Sequence, residues 1–212
     1  MTVAERLQAV RQRIERAGGH DVDILAVTKT RGIDAAIAAM AAGCSGVGEN
    51  YARELVDKFT GLTPLPPVHF IGQLQTNKVR QLAPFVSVYE TVDRPSVVAE
   101  LAKRVPGATV LVQVNTDATQ PGKGGCSIDD VAALVQQCHD VGLHCTGLMT
   151  VGPTEGGPTA ALPGFRAVRR LVDGLGLTVC SMGMTDDLEV AVGEGCTQVR
   201  VGSALFGPRP PG

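Results

Sequence analysis

Short apolar runs alternate with helix-period segments along almost the whole chain. The first segment places Val3, Leu7, Val10, Ile14 and Ala17 three or four residues apart, which predicts an amphipathic helix. Thr2 with Glu5 forms a capping box in front of it, and Gly18-Gly19 stops it. Eight strand candidates follow: ILAVTK (24–29), CSGVGEN (44–50), VHFIG (68–72), VSVYETV (86–92), TVLVQVN (109–115), HCTGLMT (144–150), LTVCSMG (177–183) and TQVRVG (197–202). Helical patterns such as IDAAIAAMAAG, VVAELAKRV, DDVAALVQQCHDVG, FRAVRRLVDGLG and DLEVAVGEG lie between them. Strands that alternate with helices pair in parallel. Eight such units behind a leading helix predict an α/β fold, a (β/α)8 TIM barrel with an extra N-terminal helix, spanning residues 1–212 as one domain. Glycine and proline cluster at 61–67 and 152–164, which read as loops and not as domain boundaries.

Composition narrows the function classes. Apolar residues make up 44% of the 212, enough for a sizeable core, but aromatics are only 3% with no Trp, so that core must be aliphatic. A ring-stacking platform for nucleic acid is disfavoured. Lys and Arg number 19 against 21 Asp and Glu, a net charge of −2, so no basic field attracts nucleic acid or anionic lipid. No apolar run approaches the ~20 residues of a membrane span. The N-terminal segment is amphipathic and charged, unlike a secretory signal, and predicts a cytoplasmic protein. The six cysteines (44, 126, 138, 145, 180 and 196) form no C-x-x-C pair and mostly sit in apolar runs. They read as buried thiols in a reducing compartment. The Cys138-His139 and His144-Cys145 pairs match no recurrent zinc spacing, so no metal is expected. No long exposed apolar stripe is evident, which makes a monomer the expectation.

In a barrel the chemistry belongs at the C-terminal strand ends. Of the five lysines at 29, 58, 78, 103 and 123, Lys29 stands apart because it ends an apolar strand. Alternation sets it on one side with Leu25 and Val27. Facing the interior, its amine would be desolvated and suited to a Schiff base; the competing reading is a strand-end lysine that reaches solvent. SMGMTDD (181–187) leaves the seventh strand with Thr185 as a candidate N-cap, and VRVGSALFG (199–207) leaves the eighth with Gly202 and Ser203 at the turn. Small residues at two adjacent helix starts expose amides to a phosphate, although Asp186 and Asp187 would oppose an anion there. Arg200 lies inside a valine-flanked strand and needs an acceptor, for which a ring nitrogen or a carboxylate would serve. Rival motifs are weak. Gly46-Val47-Gly48 has Tyr51 where a dinucleotide fingerprint needs glycine, and Gly122-Lys123-Gly124 lacks the rest of a Walker loop.

An interior lysine, two phosphate-grade helix starts and an interior arginine together describe a pyridoxal phosphate site. The segments ILAVTKT, GVGENY, HFIGQLQTNKVR, GLMTV, SMGMTDDLEVAVGEG and VRVGSALFG resemble the pyridoxal phosphate homeostasis protein family, a single barrel similar to the N-terminal domain of alanine racemase. The resemblance covers about residues 2–208. It implies pyridoxal 5'-phosphate held as an internal aldimine on Lys29, with Thr185, Gly202 and Ser203 at its phosphate and Arg200 at its pyridine nitrogen. Asn50 and Ser181 would line the pocket. The stretch TDATQPGKGG departs from the family pattern, so Lys123 is given no role, and Lys78 reads either as a pocket-mouth group or as a solvated helix start.

The implied function is holding the cofactor and buffering it or delivering it to apo-enzymes. An arginine at the ring nitrogen makes the cofactor a poorer electron sink, and a racemase needs a second base that alanine racemases take from a further domain. Tyr51 and Tyr89 are not evident substitutes, which leaves a weak amino-acid racemase as the alternative. A sugar-phosphate enzyme with a lysine Schiff base would want additional carboxylates at strand ends, yet Glu49 and Glu90 are the only obvious ones.

Overall fold

The leading helix starts on the expected capping box. In α1 (Val3–Arg16) the Glu5 amide donates to Thr2 Oγ1 at 3.2 Å and the Thr2 amide donates to Glu5 Oε2 at 2.9 Å. The computed structural model describes residues 1–117 and 124–208. Eight strands follow α1: β1 (Asp23–Val27), β2 (Gly46–Glu49), β3 (Val68–Phe70), β4 (Val88–Val92), β5 (Thr109–Val114), β6 (His144–Thr150), β7 (Val179–Ser181) and β8 (Gln198–Val201). Each connection carries helix: α2 (Ile33–Ala42), α3 (Ala52–Phe59), α4 (Val79–Leu82), α5 (Pro95–Arg104), α6 (Val131–Asp140), α7 (Leu162–Gly174) and α8 (Leu188–Gly193), with α9 (Ser203–Phe206) after the last strand.

Every strand pairs in parallel with the next, and β8 closes on β1. The fold is therefore an α/β TIM barrel. Apart from β6, which matches its run at His144–Thr150, the strands are shorter than the apolar runs that predicted them. β1 stops at Val27 and β2 begins only at Gly46, because the apolar signal continues into buried flanking residues such as Cys44 and Thr28, the latter still donating its amide to the Gly48 carbonyl at 3.0 Å.

Two layers of side chains fill the molecule. Between sheet and helices lies an aliphatic shell that includes Leu7, Val10 and Ile14 of α1, Leu55 and Phe59 of α3, and Phe165 and Val168 of α7. Burying one such side chain contributes roughly 1.5–3 kcal/mol, and this shell is where most apolar stabilisation resides. Five of the six cysteines are buried and all six are free thiols. α1 packs against α2, α8 and α9.

The barrel interior is of a different character. β4 and β8 stand opposite each other in the closed sheet, yet Gln198 Nε2 on β8 donates to Glu90 Oε1 on β4 at 2.8 Å. Such a bond can pass only through the middle of the barrel. On the β1–β2 side the interior is apolar and tight: a Cβ at Gly48 would lie 2.9 Å from Ile71 Cδ1 and 3.1 Å from Leu25 Cδ2. The glycines of the Gly46-Val47-Gly48 run thus make room for Leu25 and belong to no nucleotide loop. Among the described residues no helix is long and apolar enough to cross a membrane.

Candidate functional site

A cavity of about 230 Å³ opens where the chain leaves β1, β7 and β8. Lys29, Arg31, Thr185, Arg200, Gly202 and Ser203 line it, with Asp186 also at its wall. Five of the seven residues assigned from sequence therefore meet at the C-terminal strand ends, although they come from segments more than 150 residues apart. Asn50 and Ser181 do not line this cavity.

Lys29 is not the last residue of a strand, as the apolar run suggested. The ladder ends at Val27 and Lys29 sits in the turn beyond it, half-buried, followed by Thr30 with φ of 62°. A left-handed backbone at a β-branched residue costs about 1–2 kcal/mol and needs outside support. That support is an ion cluster behind the turn. Lys58 Nζ on α3 donates to the Thr28 carbonyl at 2.8 Å, to Glu49 Oε1 at 2.5 Å and to Glu54 Oε1 at 3.0 Å. Glu54 Oε1 accepts the Thr30 amide at 2.6 Å, and Glu49 Oε1 accepts the Thr28 hydroxyl at 2.6 Å. The backbone is thereby held on both sides of Lys29. Lys58 is only 4% exposed, although its place in ARELVDKF reads as a charged helix surface. Burial pushes the Glu49 carboxyl above its ordinary range, against the pull of Lys58 and Thr28.

Arg31, two residues past Lys29, was missed by sequence reasoning. Its guanidinium stacks over the Phe206 ring at 5.0 Å and donates to the Gly207 carbonyl at 2.9 Å. The available signal was its spacing, since a cation two residues after the strand-end lysine leaves the same turn.

Thr185 does not cap α8. That helix starts at Leu188 with Asp187 in the cap position, and the Asp187 carboxylate accepts the Met184 amide at 2.6 Å. No side chain caps the first turn of α8, because the Asp187 carboxylate turns back to Met184 and not onto the helix amides. The Thr185 hydroxyl turns instead to the start of α9, where it accepts from Ser203 Oγ at 3.1 Å and from the Ala204 amide at 3.4 Å. Arg13 on α1 donates to the Thr185 carbonyl at 2.8 Å and pairs with Glu189, which steadies this turn. Gly202 and Ser203 stand at the start of α9 as expected.

Arg200 is buried, and the protein itself satisfies most of its need for acceptors. Nη1 donates to the Ser181 carbonyl at 2.8 Å and to Ser181 Oγ at 2.7 Å, while Nη2 donates to the Thr150 carbonyl at 2.6 Å. Ser181 accordingly lies under Arg200 and touches the cavity through it. Asn50 follows β2, packed so closely on Gly72 that a Cβ there would overlap its backbone; its Oδ1 is buried with no hydrogen-bond partner among the described residues. Lys78 ends a short 3-10 turn before α4 and does not line the cavity. Lys123 falls outside the described residues.

Three cations, two hydroxyls and a turn amide face this cavity against one carboxylate. That donor set suits an anionic ligand with additional acceptors, and an amine on Lys29 can meet a carbonyl carbon. A phosphorylated pyridine aldehyde fits it.

Comparison with known proteins places the site in context. Residues 2–210 match the family described as alanine racemase, N-terminal domain. A Pseudomonas aeruginosa protein named pyridoxal phosphate homeostasis protein is 38% identical over 222 residues, covering 98% of this chain and 96% of that relative. An Aquifex aeolicus protein of the same name is 34% identical and covers 99% of both chains. Among solved structures, PipY of Synechococcus elongatus with PLP bound superposes with a TM-score of 0.84 at 29% identity, covering 97% of this chain and all of that one. The chain belongs to the alanine racemase N-terminal domain family, alongside full-length relatives that carry the name pyridoxal phosphate homeostasis protein.

Proposed function

We propose that this protein binds pyridoxal 5'-phosphate and serves intracellular vitamin B6 homeostasis by buffering the cofactor and passing it to apo-enzymes. The observation that carries this reading is the single cavity in which Lys29, Thr185, Arg200, Gly202 and Ser203 meet. The names of the relatives and the PLP-bound PipY structure support it.

In this reading Lys29 Nζ holds the aldehyde carbon covalently, and Thr185 with Ser203 and the turn at Gly202 receives the phosphate. Arg200 donates to the ring nitrogen, and the buried Oδ1 of Asn50 offers an acceptor near the strand end. When bound, the cofactor supplies an electrophilic carbon and an electron sink. Arg200 is permanently charged and does not hand a proton to the ring, so that sink is weak. Tyr89 is fully enclosed in the outer shell, and Tyr51, 54% exposed, lines a neighbouring open hollow. No tyrosine among the described residues thus faces Lys29 across the cavity, which supports holding over racemisation.

The test is direct. Protein incubated with pyridoxal phosphate should turn yellow, and borohydride should bleach the colour and fix the cofactor on the peptide containing Lys29. A protein that stays colourless in excess cofactor overturns the reading. Incubation with single L-amino acids, followed by chiral chromatography, should show no robust D-enantiomer or keto acid. Turnover that is fast in the wild type and lost in Lys29→Ala would make the protein an enzyme instead.

A further inference from the structure

Beneath the cavity, four strands meet at one carboxylate. Glu90 on β4 is fully buried and accepts three hydrogen bonds: His69 Nδ1 on β3 at 2.6 Å and Gln198 Nε2 on β8 at 2.8 Å reach Oε1, and Ser181 Oγ on β7 reaches Oε2 at 2.7 Å. Ser181 Oγ also accepts Gln198 Nε2 at 2.8 Å and Arg200 Nη1 at 2.7 Å. A hydroxyl has one proton to give and two lone pairs to receive. Ser181 is therefore saturated, and its proton points at Glu90.

That direction is not interchangeable. Burial opposes ionisation of Glu90, yet the His69 hydrogen bond, the Arg200 charge and the Ser181 hydroxyl outweigh it and hold the carboxyl below its usual range. An ionised carboxylate offers no proton, so the serine cannot reverse its O–H and keeps a lone pair on Arg200. The remaining anchors of Arg200 are backbone carbonyls of Ser181 and Thr150. Together these contacts occupy at most three of its five N–H donors and leave the others for the cavity. The titratable groups that bear on Arg200 are Glu90 on β4, Asp187 in the turn before α8, and the thiols of Cys180 and Cys196.

We propose that Glu90 is a positioning residue for Arg200, fixing through the Ser181 hydroxyl the direction in which the guanidinium meets the ring nitrogen of bound pyridoxal phosphate. The proposal rests on the functional reading above. Glu90 touches no ligand; it acts by saturating the serine that steers the arginine. It also places a fixed negative charge below the cavity, which favours a positively charged linkage on Lys29.

Two variants separate steering from charge. Glu90→Gln removes the charge and lets Ser181 turn, whereas Ser181→Ala keeps the charge and cuts the steering contact; it also serves if Glu90→Gln fails to fold. The first readout needs no cofactor: side-chain nitrogen NMR of Arg200 in the unloaded full chain. The wild type should show hindered, slowly exchanging Nη protons; both variants should weaken the hindrance at Nη1, while Nη2 stays held by the Thr150 carbonyl. The second readout is the visible-band titration of the loaded protein. Its midpoint should fall in Glu90→Gln and stay nearer the wild-type value in Ser181→Ala. Arg200 signals as hindered in Ser181→Ala as in the wild type overturn the proposal, as does a Glu90→Gln titration that coincides with the wild type. Wild-type protein that takes up no pyridoxal phosphate overturns the functional reading as well; cofactor retained on Lys29 with Arg200 unmoved overturns the proposal alone.

Discussion

Glu49, which ends β2, and Glu90, midway along β4, are both fully buried, and their carboxyls are shifted in opposite directions. Glu49 has a direct ion pair with Lys58 at 2.5 Å, yet its carboxyl is pushed up. Glu90 draws on Arg200 through Ser181 and a histidine, yet its carboxyl is pulled down. The difference lies in the second oxygen. Glu49 crowds Lys58 and Thr28 onto Oε1 and leaves Oε2 buried without a partner, whereas Glu90 uses both oxygens and takes three donors. Glu90 also has the Arg200 charge in its favour, whereas the Glu54 carboxylate beside Glu49 works against ionisation there. The two clusters also hold different things. The Glu49 cluster grips the backbone around Lys29, and the Glu90 cluster aims a side chain.

The largest effect expected is at Lys58. Lys58→Met strands two carboxylates and releases the Thr28 carbonyl, and breaking a buried pair from one side costs about 3–5 kcal/mol. Urea unfolding should show that loss, and the double variant with Glu49→Gln should recover part of it, because fewer charges are then left unpaired. Glu90→Gln should cost less, about 2–3 kcal/mol, the worth of hydrogen bonds to a charged group. If it costs more than Lys58→Met, the ranking of the two clusters is reversed.

The pH dependence sharpens the contrast further. Glu90 has a lowered folded value, so its stabilisation is present above the unfolded value of about 4.3 and is lost as pH falls through the folded one. Glu49 has a raised folded value, so its contribution is complete below about 4.3 and is lost as pH rises through the folded one. Melting curves across this range should therefore flatten on the acid side in Glu90→Gln and on the alkaline side in Glu49→Gln. The smallest effect is a surface control. Arg13→Ala removes a pair with Glu189 of which the arginine is 30% and the glutamate 49% exposed, and should cost no more than about 1 kcal/mol. A larger loss would mean that its bond to the Thr185 carbonyl matters to the fold.

Much of the site was legible because its residues carry local signals. Lys29 is a charge at the edge of an apolar run, Arg200 is a charge inside a valine-flanked strand, and Gly202-Ser203 is a turn signal after a strand. Thr185 lines the cavity without capping α8, whose first turn has no side-chain cap, because its hydroxyl meets Ser203 and the Ala204 amide at the start of α9. Lys58 was invisible, because a lysine on an amphipathic helix looks solvated until its neighbours are known. The Glu90 cluster could not be read at all. Its hydrogen bonds join residues 91 and 108 positions apart, and no periodicity connects them.

The order of residues settles the alternation of strand and helix, the count of eight, and the sites where polar groups interrupt apolar runs, because each depends on neighbours within a turn or two. Closure of the barrel settles the rest. It sets β4 against β8, pairs Glu90 with Ser181 and Gln198, sinks Lys58 beneath the Lys29 turn, and hands the Thr185 hydroxyl to α9. Those choices are decided by which lone pairs and protons remain unmet once water is excluded, and only the assembled interior defines that set.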